Sequence, residues 1–537
     1  MGERKGGLFA REATGLVREV GFMLGIIIIM SHVVGLGWQK RAFQFTGPYP
    51  VPTDLLPLGL PAIFWAFLVC GIIVMVTGYA AGYVTAAMPR SGGGYVTISR
   101  IIHPVAGYVA GWLMFLAEAF SYGLIGVAVF EAIMIFYSVA LAPVTIAFDA
   151  TTLFLGGVLI IVIFVVLALF GVRLYGWLMH VMFWPTLIIT IGFFAMWIAG
   201  AMNPAVVATG VQDVMGASPS TFMDLAIGSG MTTNIASFYD AFAFALAGAF
   251  WAYMGWYSVT FIAGEVKEAN KKLPLVVLLS GFIIMLIYLG SSSFSAISTL
   301  GVGETTVDGH RWGFFQAYSW LSYAGVEVPA AQIPNFQPAW STGIASIIAR
   351  GMGLGWLSWL IAFAGVLWLA NDIPPFLLVA SRTMFAMSFD RMMPEKLAEV
   401  SERWHSPTWS LIITGIFGVV GCIAESNVGN LAQYVLFAGV VGTDIYDATF
   451  LTLFCLSCVL LPLRRKDIHD RAAVKHSVGT VVGFGAIATL LAGYCLFTFA
   501  YYSIEWMFVP GASSFGFWGC IIVGILLYAF YMYRNRA

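Results

Sequence analysis

The chain has 537 residues, of which 60% are hydrophobic and only 9% are charged, and its formal net charge is −1. Soluble domains carry about 25% charged residues, so a chain with so few cannot cover a water-facing surface. The mean hydropathy is +0.90, and a chain of 537 residues that holds about twelve membrane spans has none left for a separate soluble domain. The near-zero net charge gives no reason to expect a nucleic-acid partner. These values predict an integral membrane protein.

Apolar runs recur along the whole chain at the length that a bilayer requires, about 20 residues. The six cysteines all lie in such runs, so we interpret them as helix-packing residues rather than metal ligands. We predict about twelve membrane-spanning helices in a single all-α domain, at residues 15–43, 62–88, 95–138, 151–171, 176–201, 238–264, 274–300, 342–388, 407–424, 428–463, 478–502 and 515–533.

The N-terminal stretch starts with basic residues but has no small-residue cleavage site, so we predict a span rather than a signal peptide. Lysine and arginine concentrate on the cytoplasmic side of membrane proteins. With a cytoplasmic N-terminus, all but four of the 25 basic residues fall in inner segments, the exceptions being Lys40, Arg41, Arg311 and Arg350. We therefore expect a plasma-membrane protein with both termini in the cytoplasm.

Glycines interrupt the first predicted span. The segment Ser31–Trp38 reads SHVVGLGW and places Gly35 and Gly37 in mid-membrane. Each glycine costs about 1 kcal/mol relative to alanine inside a helix, and an unwound backbone persists in a bilayer only where it is buried in protein or lines a cavity. His32 adjoins this break and is either a group that titrates near neutral pH or a hydrogen-bonded core histidine.

The sixth predicted span repeats the pattern, with Gly255 in the aromatic run Phe250–Ser258. Spans one and six occupy corresponding places in two five-helix halves, as expected of an inverted repeat with a midplane binding site. Free N–H groups after a break could hold a carboxylate, and free carbonyls an ammonium group or a cation. The alternative is that these are close-packing glycines, which are common in membrane helices.

Four stretches carry a family resemblance: Gly35–Gly37, Met88–Arg100 with the run MPRSGGGYV, Phe250–Pro274, and Ser381–Pro394. In their order along the chain they resemble the amino acid–polyamine–organocation superfamily, most closely its amino acid permeases. The resemblance implies a leucine-transporter-like fold. Its parts are a first five-helix repeat over residues 15–201, an inverted second repeat over 238–463, and two accessory helices over 478–533.

By this resemblance, a substrate carboxylate binds the backbone around Gly35–Gly37, its amine faces carbonyls near Phe250–Tyr253, and Trp251 forms an aromatic lid. Two positions depart from the family pattern: Tyr257 stands where some relatives carry an acid, and Thr186 where several proton-driven relatives carry a lysine. The expected substrate-binding residues are Ser31, Val34, Gly35, Leu36, Gly37, Glu118, Phe250, Trp251, Ala252, Tyr253 and Gly255.

Five acids lie inside predicted spans: Glu118, Glu131, Asp372, Asp444 and Asp447. Each costs on the order of 3 kcal/mol at a bilayer centre, so each must be protonated, paired, ion-bound or facing water. We expect no deeply placed lysine as a partner. Glu118 is interpreted as a group that takes the substrate amine or carries a proton, or else as a protonated carboxyl bonded to a neighbouring helix. Glu131, nearer the outer end, is interpreted as a solvated or structural acid.

Several of these residues are candidates for holding a coupling ion. Asp372 lies near the eighth-helix position that holds sodium in some relatives, and by that resemblance Ser31, Thr186 and the Val34 carbonyl could complete an oxygen cage. Asp444 and Asp447 are one turn apart on one helix face and could line the pathway. The coupling-ion candidates are Glu118, Asp372, Asn371, Thr186, Asp444 and Asp447.

Together these features predict a secondary active transporter that imports amino acids by alternating access, coupled to H⁺ or Na⁺. The alternatives are a carrier or exchanger of organic cations such as polyamines, suggested by the five acids, and a channel-like cation conductor. We see no nucleophile–base pair and no metal-ligand set, so we expect no enzyme activity, no metal site and no cofactor. The expected partners are a small amino acid or amine, the co-transported cation and the lipid bilayer.

Overall fold

The computed structural model describes residues 20–140 and 148–536. In these residues the secondary structure is helical apart from one antiparallel hairpin, formed by β1 (Thr305–Val307) and β2 (His310–Trp312). The helices of the first part of the chain are α1 Phe22–Val33, α2 Ala42–Gln44, α3 Ala62–Ala87, α4 Gly93–Ile101, α5 Pro104–Ala140, α6 Ala150–Leu169, α7 Val172–Met202, α8 Pro204–Met215 and α9 Pro219–Gly228.

The second part of the chain continues the same all-helical plan. Its helices are α10 Phe238–Ala252, α11 Ala269–Ile297, α12 Phe314–Tyr323, α13 Ser341–Gly351, α14 Gly355–Phe389, α15 Thr408–Ser426, α16 Val440–Arg464, α17 Lys466–His469, α18 Val478–Tyr502, α19 Ile504–Phe508 and α20 Ala512–Arg536.

Eleven stretches of the described residues are long and apolar enough to cross a membrane. Helix α10, with 15 residues, is too short to cross alone and corresponds to the sixth predicted span. The prediction of an all-α membrane protein with about twelve spans is confirmed. The first predicted span begins at residue 15, and its first residues lie outside the described ranges.

The sixth predicted span, 238–264, is wrong beyond Ala252. There the chain leaves the helix, and Gly255 adopts a φ of +92°, which glycine reaches without the steric cost that a Cβ imposes. The residues that follow form turns with a single 3₁₀ turn at Ser258–Thr260. The segment 253–264 is therefore irregular backbone rather than a resumed helix.

Three other boundaries differ from the predictions. The helix expected at 95–138 is divided into α4 and α5 just before Pro104, because proline disfavours helical backbone at the residue preceding it. The stretch 342–388 is divided into α13 and α14 near Gly353, whose φ is +75°. Residues 428–438 form 3₁₀ turns ahead of α16. Helices α8, α9 and α12 and the hairpin were not predicted, because they are too short to give a spanning signal.

Helix α1 lies in the interior of the bundle. It packs between α14 and α11, which in turn pack along α5 and α3 respectively. Helices α6, α18 and α20 are mostly exposed and lie at the periphery. We call the side on which α1 begins and α20 ends the terminal side, and the opposite side the far side. Helices α7, α11 and α14 pack against α1, and α10 packs against residues 37–41, which follow its interruption.

Candidate functional site

The first membrane span is interrupted in its middle, as predicted. Helix α1 ends at Val33, Val34 and Gly35 are non-helical, and the chain resumes at Leu36 with a π-helical turn over Gly37–Arg41. Every residue from Ser31 to Arg41 is buried. Short π-helical segments are rare and are frequent at functional sites.

Each glycine of the two interruptions lies against a group from another element. A Cβ on Gly35 would overlap the Asp372 side chain, one on Gly37 would overlap Ala252, and one on Gly255 would overlap the His32 ring. These glycines are therefore close-packed against other elements, and the helices are also interrupted where they lie. The glycines allow the two irregular segments and α14 to approach each other.

Asp372 of α14 caps the resumed part of the first span. Its carboxylate lies directly on the Gly35 backbone and beside the Leu36 N–H, and its Oδ1 has no hydrogen-bond partner in the described structure. The adjacent Asn371 donates from Nδ2 to the Ser31 hydroxyl at 2.8 Å. Two consecutive residues of α14 thus bind α1 on both sides of its interruption.

Tyr288 of α11 joins the two interruptions, and no sequence feature distinguishes it from the other tyrosines among the 22 of the chain. Its hydroxyl lies within hydrogen-bonding distance of the Val33 carbonyl and, at 2.7 Å, of the Ala252 carbonyl. It can donate its single proton to one of them at a time. These carbonyls belong to the last residues of α1 and α10, where the helical hydrogen-bond ladder stops, and the Val33 carbonyl also accepts the Gly35 N–H at 2.9 Å.

Glu118 of α5 faces His32 beside the first interruption. The Glu118 Oε2 and His32 Nε2 atoms are 3.2 Å apart, and both side chains are fully buried. The His32 ring also packs edge-on against Phe376 of α14, with ring centroids 4.3 Å apart. The sequence singled out both residues but not their contact, which depends on how α5 is rotated relative to α1.

Two further acids extend this cluster. Asp447 of α16 accepts a hydrogen bond from the Tyr257 hydroxyl, and its other oxygen has no partner in the described structure. Asp444, one turn earlier, is buried and neither of its carboxylate oxygens has a hydrogen-bond partner there. Glu118 is close enough to interact electrostatically with both Asp372 and Asp447. We call Glu118, Asp372, Asp444 and Asp447 the acid cluster.

Trp251 lies on the far side of the acid cluster, where the sequence analysis expected an aromatic lid. Its indole N–H donates to the Ser121 hydroxyl at 3.3 Å, and the Arg41 guanidinium lies 4.5 Å from its ring centroid. Such cation–π contacts favour a fixed position of the ring. Trp251 is therefore held between Ser121 and Arg41.

Beyond Trp251 lies a group of buried ion pairs that we call the far-side cluster: Lys40, Arg41, Glu131 and Glu425. Lys40 Nζ is 2.6 Å from Glu131 and 2.8 Å from Glu425, and Arg41 binds Glu425 through both terminal nitrogens. The expectation that no deep lysine would pair with a membrane acid is wrong, and Glu131 is a paired rather than a solvated acid. Glu425, at the end of α15, was missed because its span ends there.

A second, smaller set of buried contacts lies on the terminal side. Arg382 of α14 binds Glu265 at 2.9 Å, with both side chains buried. The Val20 N–H donates to the Glu265 carbonyl at 3.0 Å, and the Gly92 N–H to the Phe261 carbonyl at 2.8 Å. The irregular segment after α10 is therefore hydrogen-bonded both to the residue that precedes α1 and to the turn that precedes α4.

The remaining predicted site residues lie nearby but face other groups. The Tyr253 hydroxyl donates to the Phe67 carbonyl at 3.1 Å, and the Phe250 ring packs against Phe499 of α18. The Thr186 hydroxyl donates to the Met182 carbonyl of its own helix. Val34 is fully buried. Among the described residues, no group of three or more His, Cys, Asp and Glu side chains has metal-binding geometry.

The family model described as amino acid permease matches residues 21–531. The chain is 20% identical over 517 residues to the b(0,+)-type amino acid transporter 1 of Mus musculus, covering 92% of this chain and 90% of that protein. It is 21% identical over 483 residues to the Asc-type amino acid transporter 1 of Homo sapiens, covering 86% and 74%. The branched-chain amino acid permease BcaP of Bacillus subtilis (strain 168) is 23% identical over 286 residues, 53% of this chain and 49% of that protein. The resemblance expected from the four sequence stretches is confirmed.

Proposed function

Because the chain belongs to the amino acid permease family, we propose that it is a secondary active transporter that imports amino acids by alternating access. The relatives named above are amino acid transporters, so the family consists of transporters rather than enzymes. The observation that carries the proposal is the meeting of two interrupted helices at Tyr288. Irregular backbone at membrane depth persists only where it is buried or lines a pathway.

The two closed ends of the molecule support alternating access. The far-side cluster closes the path beyond Trp251, and the Glu265–Arg382 pair closes the terminal side. A carrier must open one of these before the other, while its site stays fixed between them. We propose that the two five-helix halves, 15–201 and 238–463, form the inverted repeat that moves around this site.

The substrate would bind between the two interruptions. We propose that its carboxylate binds the backbone N–H groups at Leu36 and Gly37, where the resumed helix begins and anions bind favourably. Its ammonium group would face Glu118 and the Ala252 carbonyl, and Trp251 would cover it. Ser31, Val34, Phe250, Tyr253 and Gly255 would shape the remaining wall.

A cation gradient would drive the import. We propose that the coupling ion, H⁺ or Na⁺, is held by residues on the α14 side of the first interruption, since Asp372 and the neighbouring Asn371–Ser31 contact lie there. Thr186 and the Val34 carbonyl are the further oxygens expected from the sequence. Asp444 and Asp447 would line the path between the site and the far side.

Uptake into proteoliposomes tests this function. Purified protein is reconstituted, and accumulation of labelled amino acids is measured under an inward proton gradient and, separately, an inward sodium gradient. We expect saturable uptake that Trp251→Ala lowers by tenfold or more and that Asp224→Asn leaves unchanged, because Asp224 is exposed on α9. Absence of amino acid uptake by the wild type under both gradients would refute the proposal.

A carrier of organic cations is the second candidate, and the acid cluster favours it. Four buried acids attract a cationic solute more strongly than a zwitterion. Competition by polyamines and simple amines in the same vesicles measures this preference. Transport of amines that survives Glu118→Gln undiminished would argue against this candidate.

We propose that the terminal side faces the cytoplasm of a plasma-membrane protein, as the distribution of lysine and arginine indicates. In this orientation, helix α9 lies on the extracellular side of the membrane. A cysteine placed at Asp224 should react with a membrane-impermeant maleimide in intact cells. Labelling only after permeabilisation would reverse the orientation.

A further inference from the structure

The anion-binding position at the first interruption is already occupied by a group of the protein. The first N–H groups of a helix have no intrahelical partner and bind anions. Here the Asp372 carboxylate lies beside the Leu36 N–H, in the place where such an anion would bind. That carboxylate lies directly on the backbone, since a Cβ on Gly35 would overlap it.

Asp372 is held in this position by its surroundings. Asn371 donates to Ser31 at 2.8 Å and fixes α14 against α1 one residue away. On the other face of the interruption, Gly37 contacts Ala252 and lies near the Tyr288 hydroxyl. The Leu36 N–H can therefore be reached by a second carboxylate only after Asp372 has moved.

We propose that the carboxylate of an amino acid displaces Asp372 from the Leu36 N–H, and that one monovalent cation must bind with it to neutralise the displaced Asp372. This inference rests on the proposed function, and it makes Asp372 the group through which substrate and coupling ion depend on each other. If the cation is H⁺, the one covalent change is the O–H bond that forms on the Asp372 carboxylate, and if it is Na⁺, no covalent bond changes. The cation, H⁺ or Na⁺, joins the carboxylate as the N–H is lost, so the substrate enters with one positive charge.

The charges around Asp372 explain why the displaced carboxylate needs a cation. The titratable groups that face it are Glu118 from α5, Tyr288 from α11 and, through the Glu118 contact, His32 from α1. Within the described residues no lysine or arginine partners Asp372, since Lys40 and Arg41 bind the far-side glutamates and Arg382 binds Glu265. A buried carboxylate without donors or counter-charge is strongly disfavoured.

Binding of an amine that has no carboxylate can be compared with binding of the amino acid. The amine has no group that competes for the Leu36 N–H, so Asp372 keeps its place there when the amine binds. Binding of such an amine should therefore require no cation. An amino acid and the amine formed from it by decarboxylation differ only in the group that the inference concerns.

Binding of this pair to the full-length purified protein tests the inference. Calorimetric titrations are made in two buffers of different ionisation enthalpy, across a pH series, and with and without sodium. We expect the wild type to take up about one cation per amino acid and none per amine. If the cation is a proton, the Kd of the amino acid rises by about tenfold per pH unit above the protonation range, and if it is sodium, by about tenfold per tenfold dilution.

Asp372→Asn should remove this linkage. The neutral amide still fits beside the Leu36 N–H but leaves without requiring a cation, so the Kd of the amino acid becomes independent of pH and sodium. Asp224→Asn is the matched control on an exposed surface and should keep the wild-type linkage. If Asp372→Asn does not fold, the comparison of amino acid and amine in the wild type decides by itself.

Three outcomes would overturn the inference alone. The first is amino acid binding to the wild type without uptake of any cation, and the second is an unchanged linkage in folded Asp372→Asn. Equal cation uptake for the amino acid and the amine would also overturn it. If the wild type neither binds nor transports any amino acid, the proposed function itself fails, and that result is distinct from the other three.

Discussion

The molecule contains two groups of buried charges that are handled in opposite ways. In the far-side cluster, Lys40 and Arg41 neutralise Glu131 and Glu425 through direct ion pairs. In the acid cluster, Asp447 accepts a hydrogen bond from Tyr257 and the Asp372 carboxylate lies against the backbone at Gly35 and Leu36, but these acids form no lysine or arginine ion pair in the described structure. Paired charges are satisfied by the fold itself, whereas unpaired acids need a proton, a cation or a ligand. The difference separates charges that stabilise the packed bundle from acids that, under the proposed function, bind the substrate amine or the coupling cation.

The largest effect on stability should come from breaking the far-side cluster. Glu425→Gln removes the acid that Lys40 and Arg41 share, whose side chains are 8% and 0% exposed. Only Glu131 then remains, bound to Lys40, so one buried positive charge is left uncompensated. We expect a loss of about 3 kcal/mol or more, seen as a lower midpoint of thermal unfolding in detergent. An unchanged midpoint would mean that the pairs are not formed in the membrane protein.

Glu118→Gln tests the acid cluster in the way that Glu425→Gln tests the far-side cluster. Because Glu118 is fully buried and has no lysine or arginine partner, the amide should leave the unfolding midpoint within a few degrees of wild type. Uptake of labelled amino acid should fall by tenfold or more, since the ammonium partner is lost. A variant that is destabilised as much as Glu425→Gln would place Glu118 among the structural charges instead.

Gly35→Ala sharpens the role of the interruption between these two groups. The added methyl group would overlap the Asp372 carboxylate, so either Asp372 or the backbone must shift. We expect the Kd for amino acids to rise by tenfold or more and the thermal unfolding midpoint to fall modestly, because over-packing a buried site costs about 1–3 kcal/mol. Gly343→Ala is the control, because its Cβ would meet only Trp340 at an ordinary contact distance of 3.6 Å.

The features that the sequence could predict are those that depend on local composition. Spans, the interruption at Gly35 and Gly37, and the membrane acids follow from hydropathy and from the residue types themselves. Gly255 indicated where the sixth span would be interrupted, but not that the helix would fail to resume. A permissive residue allows a left-handed turn without determining the path that follows it.

The contacts within the site could not be predicted in the same way. The bond from Tyr288 to Ala252, the approach of Asp372 to Leu36 and the approach of His32 to Glu118 depend on the rotation and offset of packed helices. An apolar run fixes a helix length but not these two quantities, because lipid-facing and protein-facing residues are equally hydrophobic. For the same reason, the sequence assigns Lys40 to an outer segment but does not reveal its pairing with Glu131 and Glu425.

The smallest effect should come from the partly exposed contact between Asp54 and His310. Unlike the two buried groups, this contact is surrounded by water. Asp54, in the turn before α3, accepts hydrogen bonds from His310 at 3.0 Å and from the Arg311 N–H at 2.7 Å, and these lower the pKa of its carboxyl. A lowered native pKa means that the contact stabilises the folded hairpin above the ordinary carboxyl pKa and is lost as the pH falls towards the native value. Amide exchange at Arg311 should therefore lose protection in acid in the wild type, whereas Asp54→Asn should show no such pH dependence. Because water and salt screen this exposed pair, its loss should leave the global unfolding midpoint unchanged, unlike the loss of Glu425.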